Sequence, residues 1–155
     1  MGRAEASIDV PGLASEAEAL WYDPVRWAAW VDGFGHVVEL SDDWPADGAL
    51  EWKSTPEGRG RVLERVSSYQ PRTGQTLAVE DSRLRGTQQV RFSPGPETVK
   101  VTLSLDYELK DSPAPSWLYD RLLVRRDVVA SLRRTLARFA RERRGDIELD
   151  PTATR

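Results

Sequence analysis

The sequence predicts an α+β fold in which a curved antiparallel sheet of seven strands wraps around a long C-terminal helix. Three observations predict it. Apolar and polar residues alternate with period two through much of 36–110, residues 116–144 carry an apolar stripe of helical period, and one strand with two short helices precedes both. A sheet with one apolar face and a helix with one apolar stripe each need a covering partner, and packing together covers both.

The N-terminal segment predicts one strand followed by two short helices. Residues 4–10 alternate as a half-buried strand does, and a Pro-Gly pair then turns the chain. Residues 13–22 are typical of a short helix, and Pro24 begins a second one. Large aromatic side chains are concentrated here and need shelter from water. We expect them to form a packed plug of Trp21, Trp27, Trp30 and Phe34.

Six further strands follow at short intervals. We expect them at 36–41, 49–55, 60–69, 75–83, 87–93 and 97–110. The connections are short and most contain proline or glycine, which favours an antiparallel meander. The last strand gives the clearest signal, because the apolar residues from Val99 to Leu109 alternate with polar ones throughout.

A long helix is predicted to complete the fold. Pro113 and Pro115 cannot continue a helix, Ser116 offers an N-cap oxygen, and Gly145 suits the left-handed residue that follows many helices. One apolar stripe runs along this helix and comprises Leu118, Leu122, Val129, Leu132, Leu136 and Ala140. The opposite side is charged, so we expect a single buried face.

Two arginines interrupt the apolar stripe. Arg121 and Arg125 project from within it, and an unpaired buried charge is very costly. We expect them either to reach water past the sheet edge or to pair with a carboxylate of the chain. The alternative is that at least one of them is a polar anchor in a ligand pocket.

Composition narrows the classes of function. The 155 residues suit one domain, expected at 1–145, followed by a polar and flexible C-terminal tail at 146–155. No apolar run reaches transmembrane length, the N-terminus lacks a signal-peptide pattern and cysteine is absent, so we expect a cytoplasmic protein. His36 is the only histidine, which excludes a histidine-rich metal site, and we expect neither metal nor cofactor.

The net charge of −3 conceals an asymmetry between the final helix and the rest of the chain. Residues 117–144 contain nine arginines and only three acidic residues, so the remainder is strongly acidic. Two parts of opposite charge attract each other when packed together. The arginine run alone therefore does not predict a nucleic-acid partner.

Three segments carry a resemblance to a known family. They are the strand that ends at Pro11 with the helix behind it, the stretch Asp23 to Trp30 with one aspartate and two tryptophans, and Gly86 to Phe92 followed by Val99 to Leu109. The chain resembles the START-like, polyketide cyclase/dehydrase-like superfamily, which has the helix-grip fold of the birch-pollen allergen. The resemblance covers about residues 4–142. It implies that a hydrophobic small molecule binds between sheet and helix, and it brings no catalytic motif with it.

The candidate binding residues form an aromatic and a polar group. The aromatic candidates are Phe34, Trp52, Phe92, Tyr107 and Trp117, for which ordinary core packing is the alternative. The polar candidates are His36, Glu64, Asp81, Arg121 and Arg125. Glu64 and Asp81 each continue an apolar strand face, so either carboxylate would meet an arginine of the helix, as a buried ion pair or as part of a ligand site. A register slip of one residue would reverse these faces.

Three functions remain open at this stage. The first is binding of a small hydrophobic, lipid-like or polyketide-like molecule, with Arg121 or Arg125 orienting an acidic or carbonyl-bearing ligand. The second is a polyketide cyclase or dehydratase whose acid–base pair combines a carboxylate with Tyr107 or His36. The third is an RNA- or ribosome-binding module that uses the arginine-rich helix, although aromatic residues do not interleave with the arginines. The sequence leaves open the identity of the ligand and whether the protein is a homodimer.

Overall fold

The structure, a computed structural model, describes residues 2–56, 59–110 and 117–149, and for residues 117–121 it describes the backbone alone. The elements in chain order are β1 (Gly2–Pro11), α1 (Ala14–Trp21), a 3-10 turn (Pro24–Arg26), α2 (Trp27–Trp30), β2 (Phe34–Leu40), β3 (Ala49–Ser54), β4 (Arg61–Gln70), β5 (Gly74–Glu80), β6 (Leu84–Pro94), β7 (Thr98–Leu109) and α3 (Trp117–Leu149). This order confirms the predicted α+β fold.

The seven strands form one antiparallel sheet in the order β1-β7-β6-β5-β4-β3-β2. Strands β2 to β7 are a meander, and β1 returns to pair with β7 along its whole length, with Ile8 opposite Val101. The two edges of the sheet are therefore β1 and β2. Because β2 to β7 each pair with the next strand along the chain, the predicted meander is confirmed.

Alternation along the strands assigns one face of the sheet to the core. In β4, Val62, Glu64 and Val66 are buried, whereas Leu63 and Arg65 are exposed. In strand β7 the apolar residues from Val99 to Tyr107 are all buried, and the polar residues Thr102 and Ser104 between them are buried as well. Removing this apolar surface from water is the main favourable term, at about 25 cal/mol per Å². The buried face is called the inner face below.

Strand β2 departs from the predicted alternation. Its pairing with β3 shifts register twice, between Phe34 and His36 and again between Val37 and Glu39. As a result Val37 lies opposite Trp52 and packs on the core, whereas His36 is exposed. A strict period of two would place His36 on one face with Val38 and Leu40. His36 and Val38 are both exposed, but Leu40 packs against the core, because each irregularity reverses the faces that follow.

Only the C-terminal half of α3 is deeply buried among the described residues. Leu132, Leu136 and Phe139 lie in the core, where α3 packs against β1 and α2. Leu122, predicted as part of the same buried stripe, is 71% exposed. The predicted stripe is thus correct for the later turns and wrong at Leu122. The predicted N-cap, Ser116, lies outside the described residues.

The end of α3 lies beyond the predicted one. The helix continues through Gly145 to Leu149, so Gly145 is an interior residue and not a C-cap. Arg26, from the 3-10 turn, donates hydrogen bonds to Asp146 at 2.8 Å and to Glu142 at 2.9 Å. We attribute the extension to these ion pairs, which bind the last turns to the body of the protein. Residues 150–155 of the predicted tail lie outside the described residues.

In the ranges given above, no helix is both long and apolar enough to cross a membrane. The cytoplasmic location expected from the sequence stays a prediction.

Candidate functional site

A cavity of about 80 Å³, partly open to solvent, lies between the inner face of the sheet and helices α2 and α3. Five of the six tryptophans of the chain contribute to its wall: Trp21, Trp27, Trp30, Trp44 and Trp52. Drug-sized ligands occupy pockets of about 300–1,000 Å³, and a cavity of about 150 Å³ holds benzene. In this state the cavity therefore accepts a very small molecule, or one end of a larger molecule that extends through the opening.

The aromatic wall is held in place by ring contacts and hydrogen bonds. The Trp21 ring lies 4.6 Å from the Trp30 ring and 5.1 Å from the Phe139 ring, measured between centroids. The indole nitrogen of Trp27 donates to the Trp21 carbonyl oxygen at 2.8 Å, and the Trp27 ring stands edge-on to Phe34. Tilted and edge-on pairs are the favoured aromatic geometries. The four residues predicted as an aromatic plug thus form a wall of the cavity.

Glu64 brings a carboxyl group to the inner face of the sheet. It projects from the middle of β4 between the buried Val62 and Val66, and it lines the cavity. Burial raises the pKa of Glu64, and this effect outweighs the opposing influence of the Arg59 charge and of hydrogen bonding with Trp52. Glu64 is therefore more readily protonated than an exposed glutamate, which suits it to hold or exchange a proton.

Arg59 is the cation beside Glu64, and Asp81 fixes its position. The Nε of Arg59 donates to Asp81 Oδ2 at 2.5 Å, and its guanidinium carbon lies 5.8 Å from the centroid of the Trp52 ring. The other oxygen of Asp81 accepts the backbone N–H groups of Arg83 and Leu84 at 2.8 and 2.9 Å. Asp81 thus joins the turn between β5 and β6 to the arginine that lines the cavity.

Hydrogen bonds join the segment after α2 to the helix α3 beside the cavity. Asp32 accepts from Ser131 Oγ at 2.7 Å, from Arg134 Nη2 at 3.0 Å and from Arg138 Nη1 at 3.2 Å. Its backbone N–H donates to Thr135 Oγ1 at 3.0 Å. These five residues are called the Asp32 clamp below. Asp32, Ser131 and Thr135 also line the cavity, so the clamp fixes the helix that bounds it.

The structure brings three of the predicted site residues to the cavity and places five others elsewhere. Phe34, Trp52 and Glu64 line it. Their role in binding stays a prediction. His36 and Arg125 are exposed, and Phe92 and Tyr107 are buried outside the lining. Asp81 is buried but acts through Arg59, as described above. The side chains of Trp117 and Arg121 lie outside the part of the chain that the structure describes.

The sequence predicted that a strand carboxylate would pair with an arginine of α3. In the structure Asp81 pairs with Arg59 instead. Arg59 comes from the connection between β3 and β4, and no periodic pattern marked it in the sequence. Gln75, which also lines the cavity, carried a usable signal because it continues the inner face of Leu77 and Val79. A neutral amide in an apolar strand face gives no charge signal, and Gln75 was not predicted for that reason.

The exposed arginines of α3 bear on the nucleic-acid hypothesis. Arg126, Arg133, Arg141 and Arg144 are exposed, whereas Arg134 is paired with Asp32. RNA or ribosome binding stays a prediction. Among the described residues there is no group of three or more histidine, aspartate or glutamate side chains that could hold a metal ion.

A larger hollow, of about 770 Å³, lies on the outer face of the sheet. Its floor includes the small side chains of Ala49 and Ala78 beside Leu63, which is 46% exposed. Charged groups line the hollow, and one of them, Glu80, is paired with Lys110 at 2.5 Å. The inner cavity therefore remains the better candidate despite its smaller volume, because buried polar and aromatic groups converge on it.

Solved structures share this architecture. The chain is similar to the Zhui aromatase/cyclase from a Streptomyces species, with 12% identity and a TM-score of 0.76 over 92% of this chain and 93% of that one. It is similar to a START superfamily protein from Mycobacterium smegmatis, with 13% identity and a TM-score of 0.73 over 92% and 97% of the two chains. A protein from Thermus thermophilus matches at 19% identity and a TM-score of 0.68, over 89% and 97%. At these identities the likeness establishes the fold alone.

No curated protein matches the sequence. A family model does, and its description is polyketide cyclase / dehydrase and lipid transport, with residues 1–143 matched. The match spans most of the chain and agrees with the observed helix-grip architecture and with the inner cavity. The chain therefore belongs to the polyketide cyclase/dehydrase and lipid transport family.

Proposed function

We propose that the protein binds a small hydrophobic molecule, or the hydrophobic end of a lipid-like or polyketide-like one, in the inner cavity. The observation that carries this proposal is a partly open cavity walled by five tryptophans and containing one buried carboxyl group, Glu64. Aromatic walls supply affinity through apolar burial, and a few fixed polar groups supply selectivity. The family description, which includes lipid transport, supports the same class of ligand.

The polar groups that orient the ligand are proposed to be Glu64 and Arg59. This differs from the role that the sequence suggested for Arg121 and Arg125, since Arg125 is exposed. Arg59 is already held by Asp81 and lies near the face of Trp52. A fixed donor beside a readily protonated carboxyl group suits a ligand that carries a carbonyl or hydroxyl oxygen.

Native mass spectrometry of the purified protein tests the proposal through two leucine-to-tryptophan variants. Leu77→Trp places a larger ring in the inner cavity, whereas Leu63→Trp makes the same change on the outer face of the neighbouring strand. We expect the wild type and Leu63→Trp to retain a bound small molecule and Leu77→Trp to lose it. Retention of the same bound mass by all three proteins would place the molecule elsewhere and contradict the proposal.

A second candidate, supported by Glu64, is an enzyme of the cyclase or dehydratase type. A buried carboxyl group whose pKa is raised by burial is the kind of group that acts as a general acid or base in enzymes. The similar Streptomyces structure is named an aromatase/cyclase. On this proposal Glu64→Gln abolishes turnover of a polyketide-like substrate and leaves its binding intact. Equal turnover by Glu64→Gln and wild type would exclude this role, and a carrier would show no turnover at all.

A further inference from the structure

Two side-chain polar atoms of residues that line the cavity have no hydrogen-bond partner in the described part of the chain. They are the indole nitrogen Nε1 of Trp30 and the side-chain oxygen Oε1 of Gln75. The two residues are only 2% and 3% exposed, so bulk water does not satisfy these atoms. A buried polar group left without a partner costs about 1–3 kcal/mol, so the pair favours any ligand that supplies partners.

The chemistry of each atom is fixed by its surroundings. Trp30 packs against Trp21 and Phe139, with ring centroids 4.6 and 5.1 Å away, and an indole nitrogen can only donate. The amide nitrogen of Gln75 donates to the carbonyl oxygen of Pro45 at 2.9 Å. That bond assigns the other amide position to oxygen, so Gln75 presents an acceptor. The residues of the cavity wall therefore include one unused donor and one unused acceptor.

A hydroxyl group is the smallest group that serves both atoms, since its oxygen accepts a hydrogen bond and its proton donates one. A ketone or an ether only accepts, and an ionised carboxylate also only accepts. A carboxylate gains little from Arg59, because Asp81 already pairs with that cation. The charge balance and the two unused atoms thus favour a neutral, hydroxylated ligand.

We propose that the cavity recognises the hydroxyl group of a neutral alcohol or phenol, with Trp30 donating to its oxygen and Gln75 accepting its proton. The inference rests on the proposed small-molecule function and specifies the ligand class for the same cavity. It also makes Trp30 and Gln75 determinants of specificity, separately from Glu64 and Arg59.

The test is an NMR titration of the whole protein with two pairs of probes that match in size. Phenol is compared with toluene, and cyclohexanol with methylcyclohexane, so that aromatic and aliphatic hydroxyl compounds are distinguished. The indole N–H resonance of Trp30, assigned with Trp30→Phe, reports directly on the proposed hydrogen bond. We expect phenol or cyclohexanol to shift this resonance downfield. The hydrocarbon of the same size should not produce this downfield shift.

Variants of the two residues separate hydrogen bonding from simple burial. The measured quantity is the ratio of the Kd of the hydrocarbon to the Kd of its hydroxyl partner. Loss of one hydrogen bond in Gln75→Met should lower this ratio about tenfold, and Trp30→Phe should do the same if it folds. Gln70→Met, at an exposed position of β4, should leave the ratio unchanged.

The outcomes distinguish this inference from the proposed function. If hydrocarbon and hydroxyl probes bind and the ratio is the same in wild type and Gln75→Met, the hydroxyl inference is overturned and the binding function stands. A Trp30 N–H resonance that does not move with bound phenol or bound cyclohexanol also overturns it. If none of the four probes binds in the cavity, both the inference and the proposed function fail.

Discussion

Glu64 makes the protein sensitive to pH in a definite direction. Burial raises its pKa above the ordinary value of 4.5, so the folded state holds this proton more tightly than the unfolded state does. The stability gained from the proton is fully present below pH 4.5 and is lost as pH rises through the folded-state pKa. Each unit by which the pKa is raised corresponds to about 1.4 kcal/mol.

We therefore predict that Glu64→Gln stabilises the protein at pH 8 and has little effect at pH 4. The neutral amide keeps the shape of the side chain but cannot ionise, so it avoids the cost of a buried charge. Thermal unfolding at the two pH values measures the change in Tm. Glu39→Gln, at an exposed position of β2, is the matched control and should show no such difference between the two pH values. An equal Tm change at both pH values for Glu64→Gln would contradict the account.

Asp81 is predicted to contribute to stability through both of its oxygens. Asp81→Asn keeps an acceptor for the turn amides but removes the charge opposite Arg59, which is one-third exposed, so we expect a loss of about 1–2 kcal/mol. Asp81→Ala also removes the turn hydrogen bonds and should cost roughly 2–4 kcal/mol. Urea denaturation of both variants measures the free energy of unfolding. Equal losses would mean that the charge carries the whole effect and the turn bonds carry none.

Helix α3 contains a glycine, Gly145, that lowers its stability. The residue lies inside the helix, and a methyl group added there would meet no atom within 4 Å. Alanine is better than glycine inside a helix by about 0.5–1 kcal/mol, because glycine loses more backbone entropy on folding. We predict that Gly145→Ala raises the free energy of unfolding by this amount, as measured by urea denaturation. A loss of stability would indicate that the helix ends at this residue, as the sequence suggested.

The Asp32 clamp links α3 to the segment after α2 and has a pH dependence opposite to that of Glu64. Burial alone would raise the pKa of Asp32, but hydrogen bonds from Arg134 and Ser131 and the charges of Arg134 and Arg138 lower it below its ordinary value of 3.8. The folded state therefore holds this proton less tightly than the unfolded state. The clamp stabilises the protein fully above pH 3.8, and its contribution is lost as pH falls through the lowered pKa.

We predict that Asp32→Ala destabilises the protein by about 1–2 kcal/mol at pH 7, since its arginine partners are partly exposed and the Ser131 bond is short. Amide hydrogen exchange should rise first in the later turns of α3. The difference in unfolding free energy between wild type and variant should shrink below pH 3.8. A difference that does not change with pH would show that the clamp acts through packing alone.

The helices and strands could be predicted from the sequence wherever a single local pattern determined them. Apolar and polar residues alternate without interruption along β7, and the burial of its apolar face could be predicted from that alternation. Strand β2 could not be predicted in the same way, because two register shifts against β3 reverse its faces and hydropathy does not mark them. The end of α3 was misplaced because the ion pair between Arg26 and Asp146 joins residues far apart in the chain.

For the molecule as a whole, the fold was easier to predict than the contents of the cavity. The order of elements leaves few ways to cover the sheet, so the position of a cavity between sheet and helix follows from architecture. The polar groups within it depend on long-range pairing. Arg59 lines the cavity because Asp81, from a different connection, holds it there, and no local pattern encodes that contact.

We propose that the bound small molecule lies in the inner cavity and not in the larger hollow on the outer face. Intermolecular nuclear Overhauser effects from the methyl group of bound toluene locate the probe directly. We expect contacts with Leu77, Leu103 and Leu132, which line the inner cavity. Contacts with Leu63 and Ala78 of the outer hollow, or a saturating titration with no contact to the inner leucines, would contradict this proposal.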